Sequence, residues 1–158
     1  MMENVQSIIG KYKVSQVGYL VRDVQKGIAK FEAFLGKPCD NLNETLDYEE
    51  SHCTYLGQRC DSKAKCAFFD LGDGMAIELI EPDDKPGIWR DDLDQYEGRV
   101  HHIAFNIKDM KDKIAKCEAA GFPCIQTGEF VGGRYAYFDA SGLLGARLEL
   151  LEYDNKPL

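Results

Sequence analysis

Four polar residues stand inside stretches that otherwise read as apolar strands, and their types could together bind a cation. Gln16 lies in Val14-Ser-Gln-Val-Gly-Tyr-Leu-Val-Arg-Asp23, and His102 lies in Val100-His-His-Ile-Ala-Phe-Asn-Ile-Lys-Asp109. Laying Val14 on Val100 superposes the two stretches, and identities continue at Asp23/Asp109, Ile28/Ile114, Ala29/Ala115, Lys30/Lys116 and Glu32/Glu118. The same overlay puts Gln16 on His102. Two later stretches, Ala76-Ile-Glu-Leu-Ile-Glu81 and Arg147-Leu-Glu-Leu-Leu-Glu152, repeat as well and put Glu78 on Glu149. One imidazole, one amide oxygen and two carboxylates make a ligand set for a divalent metal ion, with Zn, Co, Ni and Mn all compatible. Two carboxylates alone would repel in a partly buried cavity, whereas a divalent ion cancels them. The competing reading is that strand alternation by itself puts polar residues on a solvated face. That suffices for any one of the four, but not for all four at equivalent points of a repeat.

The elements that must position these residues follow from periodicity. Residues 14–21 alternate as a strand, with Gln16, Gly18 and Leu20 on one face and Val17, Tyr19 and Val21 on the other. Asp23 is placed as an N-cap, Val24, Ile28, Phe31 and Leu35 form a helical stripe, and Gly36 and Pro38 end it. Residues 39–62 are polar and acidic, with a strand expected around His52–Leu56. Strands at Lys65–Leu71 and Met75–Ile80 flank the turn Gly72-Asp73-Gly74. A linker with one short helix, Ile88 to Tyr96, leads to the second copy. There a strand at 100–107, N-cap Asp109, a helix through Met110, Ile114 and Cys117, and strands at about Pro123–Thr127, Arg134–Asp139 and Ala146–Glu152 are expected. The fold class is therefore α+β, with two pseudo-symmetric β-α-β-β-β modules forming a curved sheet. The module boundaries are residues 1–82 and 100–158, joined by a linker at 83–99 within one compact domain.

Neighbours of the four polar residues (Val17, Ile77, Leu79, Ile103, Leu148 and Leu150) face the helices, so the four themselves face the concave side. Gly18, Ala76 and Ala104 beside them leave room for a ligand. His101 shares a face with Ile103, Phe105 and Ile107 and is expected to be a hydrogen-bonded core or supporting histidine; His52 is expected at the surface. Trp89 either covers a ligand or pins the linker. Arg134, beside Gly132-Gly133, is placed to hold a substrate carboxylate or to sit in an ordinary hairpin.

A formal net charge of −8 argues against nucleic acid or an anionic membrane as the main partner. Met1 to Lys13 has no long apolar run, and no segment approaches the roughly 20 apolar residues of a membrane span, so a cytoplasmic location is expected. The six cysteines include no Cys-x-x-Cys pair and are read as reduced and structural.

Taken together, Gln16-Val-Gly-Tyr-Leu-Val-Arg-Asp, Ala76-Ile-Glu-Leu-Ile-Glu-Pro, Val100-His-His-Ile-Ala-Phe and Leu148-Glu-Leu-Leu-Glu resemble the vicinal oxygen chelate superfamily of glyoxalases, bleomycin resistance proteins and dioxygenases. The resemblance covers about Val14 to Tyr153 and implies paired modules around a metal-lined cavity. It also implies metal ligands at Gln16, Glu78, His102 and Glu149. Within the superfamily the stretches around Glu78 and His102 look most like methylmalonyl-CoA epimerases, which usually carry His where Gln16 stands. Gln with Glu, His and Glu is instead similar to the set of eukaryotic-type glyoxalase I (lactoylglutathione lyase), although Leu20 occupies the place of its glutathione-binding Arg. Either likeness implies α-proton removal by a carboxylate with a metal stabilising the enolate, and the glyoxalase likeness implies Glu149 or Glu78 as the catalytic base. The implied substrates are an acyl-CoA ester or a glutathione hemithioacetal, and a homodimer is expected. The epimerases' separate base carboxylate has no clean match in this chain; Lys65 and Cys66 stand near its place. The alternatives are a non-catalytic drug-binding protein and a ring-cleaving dioxygenase, the latter disfavoured because its triad needs two histidines.

Overall fold

The structure is a computed structural model that describes residues 5–158; of the N-terminal stretch read for targeting signals, residues 1–4 lie outside it. One ten-stranded sheet carries the molecule. Its strands are β1 (Lys13–Leu20), β2 (Asn41–Glu44), β3 (Thr54–Tyr55), β4 (Gln58–Arg59), β5 (Ala64–Gly72), β6 (Met75–Pro82), β7 (Val100–Asn106), β8 (Cys124–Phe130), β9 (Gly133–Phe138) and β10 (Arg147–Tyr153). The helices are α1 (Val24–Leu35), α2 (Tyr48–Ser51), α3 (Ile88–Tyr96), α4 (Met110–Ala119) and α5 (Ser141–Leu144). The sheet order is β2-β5-β6-β1-β7-β10-β9-β8-β3-β4. The repeat is visible in this order: β1 and β7 meet antiparallel at the centre, and each pairs in parallel with the last strand of its own half, β6 or β10.

Alternation builds both faces. Leu79, Phe69 and Ala67 pack on Val24 and Ile28 of α1, while Leu150, Ala136 and Phe138 pack on Met110 and Cys117 of α4. Truncating a side chain as fully buried as Leu79 to Ala costs about 2–5 kcal/mol. On the concave face, α3 covers one end of the sheet with Ile88, Trp89, Leu93 and Tyr96 against Leu20, Ile80 and Tyr137. This helix spans the predicted residues. No helix among the described residues is long and apolar enough to cross a membrane.

Three local expectations change. The third segment of the first half is β2, which is exposed at all four positions and so offered no apolar alternation to read. The strand foreseen near His52 shrinks to β3 and crosses to the far edge of the sheet, where it pairs with β8 and with β4. Asp109 makes no side-chain cap, because its backbone is left-handed at φ 61; Glu152 accepts from the amides of Asp109 and Met110 instead, each at 3.0 Å. Glu81 does the same for Val24 at 2.7 Å, while Asp23 caps Lys26 as expected. The repeated Glu-Leu-x-Glu motif thus divides its labour: the first Glu faces the cavity and the second binds a helix N-terminus.

Candidate metal centre

Period-two geometry delivers Glu78 from β6 and Glu149 from β10 to the concave side, and β7 delivers His102 between them. The three are 8%, 4% and 0% exposed. One ligand atom from each can be chosen so that all lie within 4.8 Å of one another. His102 Nε2 is 3.2 Å from Glu78 Oε2 and 3.2 Å from Glu149 Oε2. Neither approach has hydrogen-bond geometry, so His102 Nε2 and Glu149 Oε2 are buried without a partner. Gln16, in register with Ala76 and Ala104, lines the same cavity of about 270 Å³.

Electrostatics describe a site short of positive charge. Burial opposes a charge on His102, but Glu149 and then Glu78 outweigh it and carry the imidazole up to about 10. Burial foremost, with the charge of Glu78 added, raises the Glu149 carboxyl against the pull of His102. A proton on Nε2 is one remedy for two carboxylates at this distance; a divalent cation is another, and it also satisfies the orphaned nitrogen and oxygen. The donor set of imidazole nitrogen, carboxylate oxygens and amide oxygen fits such an ion.

The remaining nitrogen of His102 is committed. Its Nδ1 lies 3.0 Å from His101 Nδ1, and His101 Nε2 lies 3.0 Å from Asp92 Oδ2. Burial pushes His101 down to about 4 despite Asp92, so its ring is neutral. Asp92 accepts from Arg147 at 2.8 and 2.9 Å, which fixes it as a carboxylate. Only one proton arrangement satisfies this chain: His102 Nδ1–H donates to His101, and His101 Nε2–H donates to Asp92. His102 Nε2 is thereby the atom left for a proton or a metal.

His101 reaches this position through a β-bulge. Gly18 pairs with His102 and Tyr19 with Val100, leaving His101 as the extra residue on β7. The bulge takes its ring out of the expected row with Ile103 and Phe105 and stacks it edge-on against both His102 and Tyr96. Asp92 was missed in the sequence. Its signal was an acid within the buried stripe of α3, beside Ile88, Trp89, Leu93 and Tyr96.

The other predicted residues separate. Trp89 lines the cavity and donates its Nε1–H to Tyr137 Oη at 3.2 Å, so it both pins α3 and faces any ligand. Arg134 is not brought to the cavity. Tyr135 and Tyr137 on the same strand point inward, so alternation turns Arg134 outward, where it pairs with Glu152 and Asp154. Gly18 leaves no space for a ligand: a Cβ there would lie 1.9 Å from His102 Cε1, so the glycine makes room for the imidazole. His52 is exposed, with Nδ1 2.6 Å from Glu129.

Comparison with known proteins bears on the fold and the family. A methylmalonyl-CoA epimerase from Mycobacterium tuberculosis superposes with a TM-score of 0.66 at 16% identity, covering 99% of this chain and 95% of that one. A hypothetical protein from Bacillus halodurans C-125 gives 0.65 at 17% identity, covering 93% and 98%. A Streptomyces coelicolor methylmalonyl-CoA epimerase in complex with 2-nitronate-propionyl-CoA gives 0.61 at 18% identity, covering 92% and 98%. At these identities the likeness is one of fold. No curated protein matches the sequence. The profile of the Glyoxalase/Bleomycin resistance protein/Dioxygenase superfamily matches residues 15–138, most of the chain, and the chain belongs to that superfamily.

Proposed function

We propose that the protein is a metal-dependent isomerase that moves a proton at the carbon beside a carbonyl, with a methyl-branched acyl-CoA ester such as methylmalonyl-CoA as substrate. The observation that carries the reading is the convergence of His102 Nε2, Glu78 and Glu149, the two carboxylates lining a cavity with no Lys or Arg on its walls among the described residues. Gln16, Glu78, His102 and Glu149 would hold the ion. When bound, a divalent cation supplies the positive charge against which an enolate forms, without which a carboxylate is too weak a base.

The chain's own groups then handle the proton. Besides the two in the cluster, Glu44 and Glu129 border the cavity, but alternation turns both side chains away from its centre. Asn43 stands opposite inward-facing Cys66, which sends Glu44 with Lys65 to the outer face. Glu129 is in register with outward Arg134 and is taken by His52. Glu78 and Glu149 approach from opposite halves of the sheet, so one removes the proton and the other returns it on the opposite face, as an epimerisation requires. Likeness in fold to epimerases, one of them in complex with 2-nitronate-propionyl-CoA, supports the acyl-CoA class.

A glyoxalase-type reaction is the second reading, favoured by Gln16 and by the doubling of ligand and base in one carboxylate. Leu20 weighs against it: the side chain is fully buried against α3, so a cation there could not reach a glutathione carboxylate. The test is paired. Methylmalonyl-CoA in deuterated water is expected to exchange its α-proton in a chelator-sensitive, metal-restored manner. Turnover of methylglyoxal–glutathione hemithioacetal without that exchange reverses the ranking. Silence in both, with a ligand retained after chelation, assigns a binding protein.

A further inference from the structure

We propose that Cys53 and Cys60 form an oxidation site, at which peroxide joins the two thiols in a reversible disulfide that alters the wall of the cavity. This inference is independent of the metal and of the reaction assigned above. Cys53 and Cys60 close the β3–β4 hairpin, whose two-residue turn, Leu56-Gly57, has φ of 49° and 75°. They face each other across it: the Cys60 amide donates to the Cys53 carbonyl at 2.9 Å, and the residues just inside, Thr54 and Arg59, are in register. Residues so opposed have Cα atoms about 5.5 Å apart. Disulfides span roughly 4.4–6.8 Å between Cα atoms, so the bond needs side-chain rotation and little movement of the backbone.

The surroundings distinguish this pair from the other cysteines. The Cys53 thiol beside it pulls the Cys60 thiol down to about 6, against the effect of burial, with Ser62 assisting. The Cys53 thiol is raised in turn, by Cys60 first and burial second. This is the asymmetry of an attacking thiolate beside a resolving thiol. Burial pushes the Cys66, Cys117 and Cys124 thiols up, which makes them poor nucleophiles. Both Cys53 and Cys60 are only 3% exposed, but Cys53 lines the cavity, which gives a small oxidant a route in.

The chemistry balances with peroxide as oxidant. The Cys60 thiolate attacks one peroxide oxygen, breaking the O–O bond to give a sulfenic acid and hydroxide, which takes a proton to become water. Cys53 sulfur then attacks the Cys60 sulfur, its proton leaves with the displaced hydroxyl as a second water, and the S–S bond forms. Two thiols are oxidised and one peroxide is reduced to two waters. Oxidation withdraws the Cys53 Sγ from Tyr135 Oη, 3.6 Å away, and the Cys60 Sγ from the Pro86 carbonyl, 3.6 Å away at the entry to α3. Tyr135 stacks on Trp89 at 5.9 Å, so the change reaches the single tryptophan. The closed loop is short, which limits the stability gained and leaves the bond open to reduction.

The test uses the whole protein treated with a small excess of hydrogen peroxide, free thiols then being alkylated and peptides mapped by mass. The expected result is a Cys53–Cys60 link that forms before any other cysteine reacts, shifts the Trp89 emission, and is lost with the shift on adding dithiothreitol. Cys60→Ser should leave Cys53 unmodified at the same dose, and Cys39→Ser should leave the link intact. Both thiols still alkylating in the wild type, a link through another cysteine, or a sulfinic acid on Cys60 without a link would each overturn the proposal. The wild-type map decides the matter even if a variant fails to fold. Metal content measured in both redox forms separates this outcome from failure of the metal reading.

Discussion

In the second half of the molecule, the central polar residue His102 has no exposed surface and its outer nitrogen is tied through His101 and Asp92 to Arg147. In the first half, the equivalent Gln16 is partly exposed and lines both the cavity and a second pocket that shares part of its wall. The walls differ in the same direction. Tyr135 and Tyr137 of β9 stand behind His102, backed by the β3–β4 hairpin that crosses over from the first half. The matching wall is Cys66 and Phe68 of β5, flanked only by the short exposed β2. Two copies of one unit have thus diverged into a rigid side that fixes one donor atom and an open side that faces incoming ligand. An isolated imidazole needs such a brace because it must present one nitrogen in one protonation state. A neutral amide does not.

The largest effect that tests this contrast comes from removing the two central residues in turn. His102→Ala is expected to weaken divalent metal binding by more than about 100-fold, since even outer partners of a ligand histidine are worth about 10–100-fold. Gln16→Ala should lose much less. Competition with a chromophoric chelator measures both, and equal losses would erase the distinction between the halves.

Next is Asp92→Asn, expected to cost about 10–100-fold in metal affinity. Its amide can present N–H to His101 and so scramble the proton arrangement of both rings. Nitrogen NMR of the histidines reads this directly: the wild type should show His102 protonated at Nδ1. An unchanged spectrum in the variant would reduce Asp92 to a structural partner of Arg147.

Gly18 and Ala104 occupy equivalent places in the two central strands, which makes a sharper comparison. Gly18→Ala drives a methyl into the His102 ring and should cost about 1–3 kcal/mol in stability along with metal affinity. Ala104→Gly meets no such conflict and should cost no more than about 1 kcal/mol. Denaturant melts of the two variants should differ in that order.

The smallest effect concerns the helix N-termini. At α1 both Asp23 and Glu81 accept backbone amides, while at α4 Glu152 alone accepts two and Asp109 contributes none through its side chain. Glu152→Ala should therefore destabilise by about 1–2 kcal/mol and Glu81→Ala by about half that, read from unfolding midpoints. Equal values would show that the remaining caps compensate.

Much of this was legible in the sequence for local reasons. Alternation in Val14–Asp23, Ala76–Glu81, Val100–Asp109 and Arg147–Glu152 depends only on the pleat, and the internal repeat made their faces comparable. That was enough to mark Gln16, Glu78, His102 and Glu149 as one set and to expect paired modules. Asp23 and Gly36 bounded α1 by chemistry contained within a few residues. The same locality hid β2, whose exposed positions carry no pattern.

What only the tertiary structure decided are matters of pairing and register between distant segments. Nothing local tells Thr54 to pair with Thr127, or Asp92 to meet His101 and Arg147. One skipped residue in the β1–β7 register turned His101 from the helix face toward His102. The sequence leaves Arg134, beside Gly132-Gly133, either to hold a substrate carboxylate or to sit in an ordinary hairpin, and the register of β9, with inward Tyr135, turns it away from the cavity. Side-chain types are written in each stretch of chain, whereas the direction in which each points depends on hydrogen bonds made with strands far off in sequence.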